Sequence, residues 1–429
     1  MPLAIHRAAS IYGIHMTIQF DIIIVGGGHG GAHTAVALRQ SGFKGSIAIL
    51  TAEADAPYER PPLSKEYLAG RKPFERLLIR PPEFWADRAV TLRTHERVVA
   101  IDAARRQVTT KSGVEFGYGD LVWAAGGEAR RLSCGGHDLD GVHTVRTRAD
   151  VDRLHRDMAI SERVIIVGGG YIGLETAATL TGLGKQVTVI EASPRLLSRV
   201  AGPSISRFVE REHRSNGIDV RLSSVIDRVE GVGGRACRVV LADGESLSAD
   251  LVIVGIGIDP VVEPLRIVGA ATGNGVIVDE LGMTMLPNVH AIGDCALQPH
   301  PFASGRLIRI ESVQNAVEMA GTVARALCGE APVARSVPWF WSHQNDLRLQ
   351  TIGFALDHDR EVIHGNMADG RFSVAYVRDD HVIAIDCVND PRSFVEARSL
   401  FSAPTENQRL DQRFLISTSE TTSTERYRG

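Results

Sequence analysis

Residues 22–42 read IIIVGGGHGGAHTAVALRQSG and residues 164–184 read VIIVGGGYIGLETAATLTGLG, identical at 11 of 21 positions. Each window has four β-branched residues, then G-x-G-x-x-G, then a small-residue helix closed by Gly42 or Gly184. A second apolar run follows each, Ile47-Ala48-Ile49-Leu50 and Val187-Thr188-Val189-Ile190. Strand, glycine-rich turn, helix, strand is the opening of a dinucleotide-binding unit. The first glycine permits the tight turn, the second lets backbone approach a pyrophosphate, and the third lets helix pack on strand. The helix N-terminus then offers free N–H groups and partial positive charge to the phosphates. One such motif is weak, but two in the same context predict two bound nucleotides.

An acid at the end of the second strand ordinarily accepts hydrogen bonds from the adenosine ribose. Glu191 fits that place, 18 residues after Gly173. Its charge would repel a 2′-phosphate and favour NADH, although Arg195 and Arg199 follow closely and work the other way. In the first unit Ala52 and Glu53 share the strand end, and Glu53 is the only acid available. The runs Asp120–Gly127 and Asp250–Gly257 read as late buried strands ending in glycine crossings, with Leu251–Ile258 as one apolar strand. Val289–Asp294 reads as a short strand ending in Gly-Asp.

The rest of the chain narrows the class. Its 429 residues exceed one ordinary domain, and 44% hydrophobic with 23% charged residues describes a chain with real cores. Lys and Arg number 47 against 51 Asp and Glu, which gives no support to nucleic-acid binding through overall charge. Five cysteines, Cys134, Cys237, Cys295, Cys328 and Cys387, stand too far apart for a zinc site or a C-x-x-C dithiol, so no metal is expected. No uncharged apolar run reaches the roughly 18 residues of a membrane span. The first fifteen residues carry Arg7 and two histidines without an apolar run, which argues against a signal peptide. A reduced, cytoplasmic chain is the expectation.

With these motifs in view, residues 20–400 resemble the FAD-dependent, NADH-using ferredoxin reductases of the putidaredoxin and rubredoxin reductase type. The landmarks are Pro57–Lys65 (PYERPPLSK), Gly168–Glu175 (GGGYIGLE), Ile292–Ala296 (IGDCA), Arg309–Ala316 (RIESVQNA) and Pro338–Ser342 (PWFWS). The resemblance implies an α/β protein with two Rossmann-like dinucleotide-binding domains plus a small C-terminal α+β domain. The FAD domain is discontinuous, residues 17–128 and 258–328, with the NAD domain, 129–257, inserted. Residues 332–410 are expected to form the C-terminal interface domain, and the composition of 1–16 and 411–429 leads to the expectation of flexible ends.

The resemblance also implies site residues. Gly26, Gly28, Gly30 and Gly31 hold the FAD pyrophosphate, with Glu53, Val98, Arg146 and Asp294 as further FAD contacts. Val313 begins a helix aimed at the flavin's pyrimidine edge, where reduced flavin carries negative charge. Lys65 lies beside the flavin ring and pairs with Glu175, while Trp341 covers the flavin. Gly168, Gly170, Tyr171, Ile172, Gly173, Glu191 and Gly257 bind NAD. The family usually has an acid where this chain has Ala52, and Glu53 is the substitute.

The expected activity is hydride transfer from NADH to FAD, then single electrons to a two-iron two-sulfur ferredoxin, which serves a haem monooxygenase or ring-hydroxylating dioxygenase. Arg306 and Arg309 are expected on the ferredoxin-facing rim. Two other readings keep most of these motifs: a reductase of monodehydroascorbate or a quinone, and a non-enzymatic flavin-bearing scaffold like the apoptosis-inducing factor. A dithiol flavoenzyme is excluded because no cysteine pair is available.

Overall fold

The computed structural model describes residues 17–402, so the expectations for 1–16, 411–429 and the last residues of 332–410 lie outside the described residues. It divides into two compact units. Among the described residues the first comprises 17–62, 72–128 and 258–335, and the second comprises 63–71, 129–257 and 336–402.

In the first unit the strand Ile18–Val25 lies parallel to Ile47–Leu50 on one side and Glu115–Trp123 on the other. Val90–Arg93 extends one edge. The long strand Glu115–Trp123 changes partners along its length. Its first half pairs antiparallel with Gln107–Thr110, and its last residues pair parallel with Val289–Ala291. Ile22, Ile23 and Ile24 are all buried, as expected for a parallel strand covered on both faces. The helix His29–Gln40 packs beside the helix Val313–Leu327 and against the strands Ile18–Val25 and Ile47–Leu50. Residues 330–338 carry no regular structure.

The second unit repeats the scheme. Asp219–Arg221, Gln186–Ile190, Arg163–Val167, Leu251–Val254 and Val142–Thr144 form a five-stranded parallel sheet. The run Leu251–Ile258 is therefore not one strand. It stops at Val254, and Gly257, at φ +100, turns the chain into the separate short strand Ile258–Pro260. Beyond residue 338 comes a five-stranded antiparallel sheet, ordered 339–344, 347–353, 381–388, 371–378, 360–366. The helix Pro391–Ser402 covers it with Phe394, Ala397 and Phe401. Asp379 and Asp380, at φ +50 and +59, make the tight turn between the last two strands in the chain, Arg371–Arg378 and His381–Val388.

This sheet also finishes a helix of the nucleotide sheet's layer. Pro203–Ser215 begins at Gly202 without a side-chain cap of its own. Instead Gly202 N–H donates to the Tyr376 hydroxyl at 3.0 Å and Ser204 N–H to Glu361 Oε2 at 3.1 Å, so the C-terminal strands satisfy the free donors. Tyr376 in turn donates to Asp386 at 2.5 Å, and Thr351 Oγ1 donates to the same carboxyl at 2.6 Å.

Asp386 is 1% exposed, and burial raises its carboxyl to about 6 despite both hydroxyl donors. A carboxyl raised on folding favours the folded chain when protonated, and that contribution fades as pH rises through about 6. The stability of the unmodified chain relative to Asp386→Asn is expected to fall by about 2 kcal/mol between pH 4 and pH 7. Urea unfolding of both proteins at the two pH values measures it. A difference that stays constant would mean that Asp386 does not titrate in the folded chain.

Candidate nucleotide and electron-transfer site

The two glycine loops have the same internal logic. A Cβ on Gly26, at φ +118, would collide with the Ala124 carbonyl, and one on Gly168, at φ +108, with that of Gly255. A Cβ on Gly31 or Gly173 would strike the carbonyl of Gly26 or Gly168. These four glycines are required by the chain's own atoms. Gly28 and Gly170 are different: at φ −86 and −83 they need no special freedom, and a Cβ there would meet nothing within 4 Å. Nothing in the protein demands glycine at either place. The open space lies at the N-terminus of His29–Gln40 or Tyr171–Gly182, where a pyrophosphate backbone would lie. Both loops fit the nucleotides expected of them.

Around the first loop the other expected FAD residues lie at known points in the fold. Gly30 sits in the first helical turn, near Ile292, and Val98 is buried in the strand Val98–Asp102. Asp294 lies in the short helical turn Gly293–Cys295, directly after Val289–Ala291. Val313 is the first residue of the helix Val313–Leu327, capped by Ser312, whose hydroxyl accepts from Asn315 N–H at 3.1 Å. Glu53 is already engaged: its carboxylate pairs with Arg60 and accepts from the Tyr58 hydroxyl at 2.5 Å. Burial opposes the Arg60 charge, but Glu53 and Tyr58 outweigh it and the guanidinium is held above its ordinary range.

Arg309 corrects the expectation of a docking rim. Its side chain is 6% exposed, paired with Glu311 at 2.8 Å and donating to the Asp294 carbonyl at 3.0 Å, so it belongs to the interior. Arg306 is exposed. Cys295, next to Asp294, is fully buried with its thiol pushed up to about 12 by burial, so it is no thiolate.

In the second unit, Glu191 closes the strand Gln186–Ile190 with both carboxylate oxygens turned to backbone, Gly169 N–H and Ser193 N–H, each at 2.7 Å. Arg195 is committed elsewhere, donating to the Ala201 and Ser198 carbonyls at 2.5 and 2.9 Å and to Ser206 Oγ at 2.7 Å. It is not available to a 2′-phosphate. Arg199 is exposed beside Gly257. Ile172 is 44% exposed at the head of the helix, and Arg146 is half-buried just after the strand Val142–Thr144.

Lys65 and Glu175 are brought together across 110 residues of sequence as an ion pair, 12% and 2% exposed. Two hydroxyls that sequence reading left without a role complete the shell. Ser64 Oγ donates to Glu175 Oε2 at 2.6 Å, and Ser342 Oγ donates to Oε1 at 2.7 Å. A buried carboxylate with one ammonium and two hydroxyl donors is a satisfied charge.

Ser342 arrives by strand alternation. Along Trp339–Gln344 the even residues Phe340, Ser342 and Gln344 face the helices, touching Tyr171 (ring centroids 4.5 Å apart), Glu175 and His213 in turn. Two strand residues advance about 6.6 Å, and the four helix residues from Tyr171 to Glu175 advance about 6 Å. The two elements therefore keep step. The odd residues Trp339 and Trp341 lie on the opposite face, their rings 5.3 Å apart, and Trp339 also meets Phe394. Both tryptophans are half-buried.

The pyridine nucleotide-disulphide oxidoreductase family model matches residues 20–320, and the reductase C-terminal model matches residues 339–416. The chain belongs to the pyridine nucleotide-disulphide oxidoreductase family. It is accordingly an oxidoreductase that uses FAD and NAD(P)H. Among similar proteins is a ferredoxin–NAD(P)(+) reductase of a Sphingomonas species, 53% identical over 386 residues, covering 90% of this chain and 93% of that one. A 5,5′-dehydrodivanillate O-demethylase ferredoxin reductase subunit of a Sphingobium species is also 53% identical, over 89% of this chain and 93% of its own. Among solved structures, putidaredoxin reductase in covalent complex with putidaredoxin superposes with a TM-score of 0.88 at 35% identity, covering 92% of this chain and 95% of that one. Despite the family's name, all five cysteines of this member are free thiols. Among the described residues no helix is long and apolar enough to cross a membrane, and no cluster of metal-ligating side chains occurs.

Proposed function

We propose that this oxidoreductase is an NADH-dependent ferredoxin reductase whose acceptor is a two-iron two-sulfur ferredoxin feeding a haem monooxygenase or ring-hydroxylating dioxygenase. The observation that carries the reading is 53% identity, over nine tenths of the chain, to a ferredoxin–NAD(P)(+) reductase. When bound, FAD supplies the conversion between a hydride and two single electrons. The chain's residues bind, orient and charge the site. The loops at Gly28 and Gly170 receive the two pyrophosphates, the first FAD and the second NADH. Asp294, Val98, Arg146, Gly30 and Glu53 are the further FAD contacts, and the N-terminus of Val313–Leu327 offers partial positive charge to the flavin. Lys65, held by Glu175, is the cation serving the flavin ring, and Trp341 is its aromatic cover. A cytoplasmic location suits five free thiols.

The acceptor is tested by NADH-driven reduction of a panel of two-iron two-sulfur ferredoxins, read through cytochrome c, beside a quinone and the ascorbyl radical. Rapid turnover of a ferredoxin is expected. Turnover confined to the quinone or ascorbyl radical overturns the reading. Nucleotide choice is a separate prediction. Removing a hydrogen-bonded carboxylate in Glu191→Ala is expected to lower kcat/KM for NADH about 30-fold, with little loss for NADPH. Equal kcat/KM for both nucleotides in the unmodified protein would contradict this role for Glu191.

A further inference from the structure

The shell around Glu175 does not end at Ser342. Gln344 Nε2 lies 3.1 Å from Ser342 Oγ, and His213 Nε2 lies 2.7 Å from Gln344 Oε1. The direction of each link follows from the first. A carboxylate facing an ammonium only accepts, so the Ser342 hydroxyl must spend its one proton on Glu175. Ser342 Oγ therefore accepts from its other neighbour, which fixes the Gln344 amide with its NH2 toward Ser342 and its oxygen toward His213. That oxygen can be satisfied only by a donor, so the His213 Nε2 carries a proton. Every donor from His213 inward points at Glu175.

The outer end of this chain reaches a cleft of about 280 Å³, lined by Phe208, Glu212, His213, Gln344, Asp346 and Asn389 among others. Ser342, Gln344 and His213 are themselves 0%, 4% and 4% exposed. Burial lowers the His213 imidazole from the ordinary histidine range, with the bond to Gln344 working against it. An amide does not pass a proton along without changing tautomer, so the chain is no proton wire. Its effect is orientational. A serine hydroxyl is a free rotor, and the amide N–H on its acceptor side keeps its own O–H turned to Glu175. His213 does the same for the amide, by opposing its flip. Aligned bonds of this kind also polarise one another.

We propose that Gln344 and His213 are positioning residues for the Lys65–Glu175 pair, through which the C-terminal sheet and the helix Pro203–Ser215 set the charge presented to the flavin. This role rests on Lys65 and Glu175 serving the flavin as proposed above. It assigns the C-terminal sheet a part in hydride transfer as well as any part it has in acceptor docking.

The test uses the FAD-loaded full chain with Gln344→Leu, His213→Leu and His213→Gln, which keeps an N–H donor, beside Lys65→Met and Glu175→Gln. FAD content and thermal midpoint identify variants that fold. Three properties are then read: the limiting rate of flavin reduction by NADH, the apparent Kd for NADH, and the Glu175 carboxylate stretch in the infrared, located by its loss in Glu175→Gln. Loss of one net hydrogen bond predicts a limiting rate about five-fold lower in Gln344→Leu and His213→Leu. Kd for NADH should be unchanged, the carboxylate band shifted, and His213→Gln close to the unmodified protein. If Lys65→Met and Glu175→Gln slow flavin reduction while folded Gln344→Leu and His213→Leu leave rate and band unchanged, the positioning role is overturned. If Lys65→Met and Glu175→Gln do not slow it, the reading of the pair itself fails. Should neither leucine variant fold, His213→Gln decides through the band and rate: values like those of the unmodified protein support the role, and a slowed rate with an unshifted band refutes it.

Discussion

Gly28→Ala is expected to purify as a folded protein without its yellow colour, its affinity for FAD lowered at least about 100-fold, or about 2.7 kcal/mol. The new methyl group would meet no atom of the chain within 4 Å and φ is −86, so folding has nothing to oppose. The cost falls on the pyrophosphate, which needs the space and the backbone approach. Gly170→Ala is the matched experiment, because its surroundings are as open. It should keep stoichiometric FAD and weaken NADH by a similar factor. Gly26→Ala is the opposite control. Its methyl group would run into the Ala124 carbonyl at a φ that disfavours alanine, so the fold itself should suffer. Absorbance near 450 nm, circular dichroism and NADH titration separate these outcomes. A Gly28→Ala protein that retains FAD with unchanged affinity would show that the first loop does not carry the pyrophosphate.

Lys65→Met is expected to cost about 3–5 kcal/mol of stability, because it leaves a buried carboxylate without its counter-ion. Ser64 and Ser342 still donate to Glu175, but two neutral donors do not replace an ammonium at a site 2% exposed. The double change Lys65→Met with Glu175→Gln removes both charges and should recover most of that loss. Reduction of the flavin by NADH should remain at least about ten-fold slow in both proteins, since neither presents a cation. Denaturant midpoints and stopped-flow absorbance measure the two effects independently. Single and double variants of equal stability would mean that the pair is not a buried ion pair in solution.

The parts of the site legible in the residues themselves are those encoded by short-range pattern, whereas the Lys65–Glu175 pair, 110 positions apart, was expected only from the family resemblance. The glycine loops and Glu191 at its strand end each depend on residues within about twenty positions of one another. Ser342, Gln344 and His213 left no such trace. Ser342 reaches Glu175 across 167 positions, and His213 reaches Gln344 across 131. An isolated serine or glutamine has no periodicity to mark it, and only the pairing of strand with helix selects it. Arg309 fails for a related reason. Nearness in sequence to Val313 says nothing about which side of the chain the guanidinium takes, and here Glu311 and the Asp294 carbonyl draw it inward. The glycine crossing after Leu251–Val254 was legible from Gly255 and Gly257, and the chain does pass from one unit to the other between Gly257 and Ile258. What misled was the apolar Ile258, which belongs to the next strand.

The alternation along Trp339–Gln344 separates two kinds of evolutionary freedom within six residues. Substitutions at 339, 341 and 343 alter one face, while 340, 342 and 344 stay in contact with Tyr171, Glu175 and His213. A point mutation at 339 or 343 can therefore change the odd face, which also carries Trp341, and leave the even positions untouched. A single inserted or deleted residue has no such latitude, because it exchanges the two faces at once. Homologous strands should consequently vary in composition while conserving length. For the engineer, grafting belongs at alternate codons and never as a shifted block.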